Sequence, residues 1–255
     1  MTDYPAFDYE QSGQEHYSGQ RRTDPRIAAF VNHALADAAH ILNVGAGAGS
    51  YEPADRHITA VEPSASMRAQ RLVAGKTPAI IGTAAALPFD NDSFDAAMAI
   101  VTVHHWPDLE KGLAEMRRVT RGPVLIMTFD PLALDQFWNV HYFPELIEVE
   151  RRRYPEIGRI TTALGGHCEV LQLPVPLDCS DGFQEAFYGR PEAFLERSVR
   201  AAQSAWGFLP EGLEARLVNN LAEELNSGEW DRKYGHLRRQ PSFTGALRLI
   251  VAQPS

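Results

Sequence analysis

Three glycines at alternate positions, Gly45, Gly47 and Gly49, follow the short apolar run Ile41-Leu42-Asn43-Val44. Glycine is needed where the backbone takes φ > 0 or lies against a ligand with no Cβ between them. A carboxylate, Glu62, stands 17 residues after Gly45, a distance suited to accepting both hydroxyls of a ribose. Small residues at Thr83-Ala84-Ala85-Ala86 and a polar-aromatic stretch at His104-His105-Trp106 complete the set. A Gly-x-Gly-x-x-Gly register would hold a pyrophosphate at a helix N-terminus. Its third glycine position is Ser50, and too few residues precede the next apolar run for a full crossover helix. These residues therefore suit a nucleoside that carries no phosphates.

For one ligand to meet all four groups, each must lie at the C-terminal end of a parallel strand, the edge where doubly wound sheets bind ligands. The chain supplies such strands at His40–Val44, His57–Glu62, Ala79–Gly82, Phe94–Val101 and Val124–Phe129. Further strands are predicted at Glu169–Val175 and Thr244–Ala252, the last one antiparallel. Asp24-Pro25, Ser64 and Asp108 read as helix starts. The expected architecture is α/β, a doubly wound, mostly parallel seven-stranded sheet with a helical lid insertion. Residues 1–24 form an N-terminal cap segment. Residues 25–177 and 241–255 form the ligand-binding core, with a helical insert at 130–165. Residues 178–240 form the lid.

The 255 residues carry a net charge of −9, which argues against affinity for nucleic acid or anionic membrane. Arg151-Arg152-Arg153 and Arg238-Arg239 read as solvated helix faces. Two cysteines, Cys168 and Cys179, are too few for a disulfide framework and match no zinc spacing, so no metal is expected. With no apolar run of about 20 residues and no signal-peptide pattern, the chain reads as a cytoplasmic protein with no membrane partner. Either a monomer or a homodimer is compatible with this composition.

The stretches Leu42–Gly49, Val61-Glu62-Pro63-Ser64, Ala84–Phe89 with Ser93-Phe94-Asp95, His104–Asp108, and Glu115-x-x-Arg118-Val119 together resemble a known family. It is the class I S-adenosylmethionine-dependent methyltransferases, in the small-molecule branch called type 11. The resemblance implies a Rossmann-like fold and S-adenosyl-L-methionine as cofactor, with S-adenosyl-L-homocysteine as product. It implies that Gly45, Ala46 and Gly47 lie against the methionine part and that Glu62 holds the ribose. Pro63, Thr83 and Ala84 then flank the adenine, while Val101 and Thr102 line the sulfonium end. Tyr17, Arg21 and Arg22 belong to a cap folded over the cofactor. The family carries Asp at Asn43, and Asp and Glu at Thr83 and Ala85.

His104 and His105 are the expected catalytic pair, since imidazole titrates near neutrality and serves where an acceptor must lose a proton. Trp106, Trp138, His141, Tyr142, Phe187 and Tyr188 are the expected acceptor-pocket residues, pointing to a small, partly aromatic or apolar molecule. Ordinary core packing is the competing reading at each of these positions. The chain has neither an Asn/Asp-Pro-Pro-aromatic motif after the fourth strand nor a Pro-Cys nucleophile, which further disfavours nucleic acid as the acceptor. Two alternatives stay open: a cofactor-binding scaffold without turnover, and an NAD-dependent oxidoreductase.

Overall fold

The computed structural model describes residues 20–254. Its centre is a six-stranded sheet in the order β2-β1-β3-β4-β8-β5. Strands β1 (His40–Val44), β2 (His57–Val61), β3 (Ala96–Ile100) and β4 (Val124–Phe129) run parallel. Strand β5 (Cys168–Gln172) lies at the far edge, and β8 (Leu247–Ala252) runs antiparallel between β4 and β5. Two two-residue strands, β6 (Val175–Pro176) and β7 (Ser242–Phe243), pair in a separate ribbon.

The main sheet has six strands rather than the expected seven. The segment expected as a third strand, Ala79–Gly82, makes one parallel bridge, Val61 to Ile80. Pro78 before it has no N–H to donate, and Ile80 and Ile81 face solvent, so nothing extends the pairing beyond one residue. The expected strand at Phe94–Val101 is trimmed to Ala96–Ile100, and Val101 turns into the left-handed region at φ 49°.

Side chains alternate between the two faces of the sheet, as strand geometry requires. Ile41, Met98, Leu125, Met127 and Leu249 face one core, while Leu42, Ala97, Ala99, Ile126 and Ile250 face the other. Helices α1 (Pro25–Ala34), α2 (Ala65–Val73) and α3 (Leu109–Val119) begin at the expected caps. Asp24 accepts from the Arg26 N–H at 2.9 Å, Ser64 from the Met67 N–H at 3.3 Å, and Asp108 from the Lys111 N–H at 3.0 Å.

After β4 come α4 (Asn139–Tyr142), α5 (Pro144–Arg153) and α6 (Ile157–Leu164). Beyond β6 lie α7 (Arg197–Ala201), α8 (Leu213–Ser227) and α9 (Glu229–Tyr234), interspersed with 3-10 turns. Their apolar side chains, Trp138, Phe143, Phe194 and Trp230 among them, share one core with the Ile41–Met98 face of the sheet. The helical segments are thus continuous with the sheet's packing and roof its C-terminal edge. Among the described residues no helix is long and apolar enough to cross a membrane.

Candidate active site

The turn after β1 is built on left-handed glycines: Gly45, Gly47 and Gly49 have φ of 66°, 52° and 92°. A Cβ on Gly45 would collide with Thr102 Oγ1, so side-chain atoms from the end of β3 already fill that space. The Gly45 and Ala46 N–H groups donate to Val61 O at 2.9 and 3.1 Å, tying the turn to the end of β2. Glu62, the next residue, is buried and accepts from the Gly47 N–H at 2.8 Å and the Ser64 N–H at 2.9 Å. Burial raises its carboxyl above the ordinary value, against these two hydrogen bonds.

A cavity of about 520 Å3 opens over this turn. Gly45, Ala46, Gly47, Glu62, Pro63, Thr83, Ala84, Val101, Thr102 and Trp106 all line it, as do His105 and Asn43. The sequence-predicted cofactor residues from the β-strand ends therefore converge on one space. Trp106, expected to meet the acceptor, faces this same cavity rather than the helical roof.

Asn43, near the end of β1, is tied to a buried acid nearby. The Asn43 amide donates to Glu52 Oε1 at 2.8 Å, and Glu52 forms a two-pronged ion pair with Arg71 at 2.6 and 3.0 Å. All three are buried. Asn43 Oδ1 is left buried with no hydrogen-bond partner. A buried acceptor of this kind is costly unless a donor arrives.

Another motif serves the frame. Glu115 accepts from the Leu87 N–H at 3.0 Å, and Arg118 donates to Phe89 O at 2.9 Å and to Leu87 O at 3.2 Å. Glu115-x-x-Arg118 thus clamps the Leu87-Pro88-Phe89 loop beside the cavity wall.

Beyond the junction of Val101, His105 and Arg21 lies a second, inner chamber of about 50 Å3. It is much the smaller of the two spaces. Phe129, Phe137, Tyr154 and Phe183 supply apolar walls, and Asn139, Glu150, Gln184, Glu185, Gln203 and Ser204 supply polar ones. His104 belongs to this chamber and His105 borders both spaces. Burial is the largest cause holding both imidazoles neutral, helped by the Arg153 and Arg21 charges. His105 is lowered to about 3, and His104 lies well below its usual value. His104 Nδ1 is buried without a hydrogen-bond partner.

The lid aromatics are a correction. Trp138, His141, Tyr142, Phe187 and Tyr188 line neither space. Trp138 packs edge-on against Tyr142, Phe194 and Trp230, and its indole N–H donates to Tyr188 O at 2.8 Å. His141 pairs with Tyr234, Tyr142 donates to Glu224, and Tyr188 donates to Gln240 O. Phe187 lies edge-on to Phe194 under the Arg190 guanidinium. These rings hold the roof together, and the polar tips of Trp138, His141, Tyr142 and Tyr188 each find a partner, whereas the Trp230 indole nitrogen is buried without one.

Arg22 is exposed, while its neighbour Arg21 turns inward and donates to Asp181 Oδ1 at 2.7 Å. The Tyr51 hydroxyl donates to the other oxygen of Asp181 at 2.8 Å. Tyr17 lies outside the described residues. Sequence reasoning placed Arg21 only within the Arg21-Arg22 cap pair and missed Glu52, Arg71, Asn139, Glu150 and Glu185. Glu52 could have been reached from its closeness to Asn43 in the chain. The others carry no local signal.

Glu185 has a consequence for stability. Burial pushes it up to about 7, against hydrogen bonds from the Ala246 and Leu247 backbone. A carboxyl raised on folding contributes stability that is fully present below about pH 4.5 and lost as pH rises through 7. Glu185→Gln is therefore expected to raise the melting temperature at pH 8 and to leave it almost unchanged at pH 5. Equal effects at both pH values in calorimetry would contradict the assignment.

Comparison with known proteins places this geometry. Residues 42–127 match the model of a family described as a methyltransferase domain. The chain is 30% identical to a crystal structure described as a methyltransferase from an antibiotic biosynthesis pathway of Anabaena variabilis. The match covers 91% of this chain and 98% of that one, with a TM-score of 0.83. A malonyl-[acyl-carrier protein] O-methyltransferase of Halorhodospira halophila is 25% identical, over 91% of this chain and 87% of that protein. The fold alone is shared with a SAM-dependent methyltransferase of Thermotoga maritima. That match is 15% identical over 90% of this chain and 88% of the other, with a TM-score of 0.53.

Proposed function

Because the chain belongs to the class I S-adenosylmethionine-dependent methyltransferases, we propose that it methylates a small, partly apolar molecule that reaches into the inner chamber. The observation that carries this reading is the pair of spaces that meet at Val101 and His105. One is lined by the glycine turn and Glu62, the other by aromatic walls and buried polar groups.

The residues present suit the cofactor. The left-handed glycines let the turn close tightly on Thr102 and Met67 at the cavity wall, Glu62 has lone pairs to spare for ribose hydroxyls, and Asn43 Oδ1 lacks a donor that an ammonium would bring. S-adenosylmethionine supplies an already activated methyl group, so the chain's task is alignment and exclusion of water. Thr83, Ala84 and Pro63 line the same large cavity and would flank an adenine there.

His105 stands at the junction as a neutral imidazole able to accept a hydrogen bond from an acceptor O–H or N–H. The same burial and arginines oppose a full positive charge on it, so alignment carries more of the rate than proton abstraction. A methyl-transfer rate that shows no imidazole titration between pH 5.5 and 8 is the corresponding signature. The −9 charge supports a free small molecule over nucleic acid, and the free thiols of Cys168 and Cys179 support a reducing, cytoplasmic setting.

S-adenosylhomocysteine at one hundred times its dissociation constant is expected to stabilise the fold by about 2.7 kcal/mol. In a chain this size that raises the melting temperature by roughly 8 °C. NAD is expected to give no shift. Stabilisation by NAD in place of S-adenosylhomocysteine would favour an oxidoreductase. Binding of S-adenosylhomocysteine with no labelled methyl leaving S-adenosylmethionine across a broad acceptor panel would favour a scaffold without turnover.

A further inference from the structure

The inner chamber has unused hydrogen-bonding capacity of a particular kind. Among its lining side chains, the buried polar atoms without partners are Asn139 Oδ1, Glu150 Oε2, Glu185 Oε2 and the ring nitrogen His104 Nδ1. Three of the four can only accept when Glu150 and Glu185 are ionised. All three parent residues are more than nine-tenths buried. Two further polar groups nearby are committed. Gln184 donates to Glu150 Oε1 at 2.8 Å and accepts from Asn139 Nδ2 at 2.7 Å. Gln203 donates to Gly182 O at 3.2 Å and accepts from the Trp206 indole at 3.1 Å.

Beside the chamber, Arg153 Nη1 is also buried without a hydrogen-bond partner. It lies 3.7 Å from Glu150 Oε2, an ion pair too long to be a hydrogen bond. A group sitting against both atoms must accept from the guanidinium and donate to the carboxylate. A hydroxyl does both. An ammonium only donates and a carboxylate only accepts.

Charge agrees with this. Arg153 offsets Glu150, and Arg21 is paired with Asp181 at 2.7 Å. Arg248 faces Asp130 at 3.5 Å, and Glu185 sits near its neutral point at physiological pH. A cationic acceptor would find Glu150 already offset by Arg153, and an anionic one would find Arg153 and Arg21 already offset by Glu150 and Asp181, so neither gains an uncommitted counter-charge.

Resting on the methyl-transfer reading, we propose that the acceptor is a neutral hydroxylated molecule that places one hydroxyl between Glu150 and Arg153 and a second donor on Asn139. Its apolar body lies at the junction, against Val101. The chamber, about 50 Å3 against about 520 Å3 for the outer cavity, admits the hydroxylated end only.

Three probes share a dihydroxyphenyl body and differ in charge: catechol, dopamine and 3,4-dihydroxybenzoate. Titrations are run on the full chain saturated with S-adenosylhomocysteine. Catechol is expected to bind at least tenfold more tightly than either charged probe. Glu150→Gln is nearly isosteric but presents an N–H where Oε2 was, and is expected to weaken catechol at least tenfold. Asn139→Leu, which keeps the volume and removes the acceptor, is expected to do the same. In both variants an unchanged S-adenosylhomocysteine affinity shows that the fold is intact. Preference for a charged probe, equal binding of all three, no binding at millimolar concentration, or indifference to both substitutions would each overturn the proposal. Failure of S-adenosylhomocysteine itself to bind the unaltered chain would instead overturn the methyl-transfer reading.

Discussion

Glu62→Gln is expected to weaken S-adenosylhomocysteine by more than a hundredfold in calorimetric titration while the chain stays folded. The Glu62 carboxylate already accepts from the Gly47 and Ser64 N–H groups, one on each oxygen. A carboxylate has about four lone-pair directions, so one on each oxygen remains for a ribose hydroxyl. An amide must turn its NH2 toward either Gly47 or Ser64, setting donor against donor, and loses an acceptor facing the cavity as well. Hydrogen bonds to a charged group contribute about 1.5–3 kcal/mol each, and two together exceed a hundredfold in affinity. The burial that raises the Glu62 carboxyl adds a pH signature. Affinity in the unaltered chain is expected to fall as acidification protonates Glu62, starting above the ordinary carboxylate range. In the Gln variant that dependence is lost. A Gln variant within threefold of the unaltered chain would remove Glu62 from the binding site.

Arg71→Met is expected to cost more stability than any other single change around the glycine turn. Arg71 and Glu52 are both buried, and Arg71 also donates to Thr77 O at 2.5 Å, which ties α2 to the segment that follows it. Removing one partner of a buried ion pair leaves the other charge uncompensated, at about 3–5 kcal/mol. In a chain of this size that is a fall of roughly 6–20 °C in melting temperature. The double change Glu52→Gln with Arg71→Met removes both charges and is expected to recover at least half of the loss, a large positive coupling. Additive losses in the cycle would show that the pair is electrostatically idle. The same network keeps the Asn43 amide facing Glu52, so its loss is also expected to weaken cofactor binding.

Much of the frame is written locally. The apolar runs of β1, β3 and β4 and the caps Asp24, Ser64 and Asp108 depend on neighbours in the chain, and a reading of neighbours finds them. The glycine turn and Glu62 belong to the same class, because left-handed backbone needs a particular residue type wherever it occurs. What could not be read depends on partners far away. Ala79–Gly82 has strand composition, but pairing at a sheet edge is decided by what lies alongside, and only Val61 does. The rings of Trp138, Tyr142 and Tyr188 look the same in sequence whether they face a pocket or one another. Here Trp230, Glu224 and Gln240, between 52 and 92 residues away, turn them inward. Arg21 and Arg22 differ only in direction, which Asp181 decides. Glu150 sits among acidic and basic residues at the end of α5 and gives no sign that it is buried.

Val101 carries a cost that the rest of the sheet does not. A β-branched residue at φ 49° sits in a region that L-residues other than glycine, asparagine and aspartate seldom occupy. Such strain amounts to about 1–3 kcal/mol, and packing around it must hold it in place. The Val101 N–H donating to Met127 O at 2.7 Å is part of that hold. A glycine here would relax the backbone at least as far as it loosens the unfolded chain, so stability alone does not account for a valine. What valine adds is a rigid, branched wall between the two spaces. The chain thus forgoes some resistance to heat in return for a fixed partition where donor and acceptor meet. Thermostabilising changes selected without regard to turnover should accumulate at this position first.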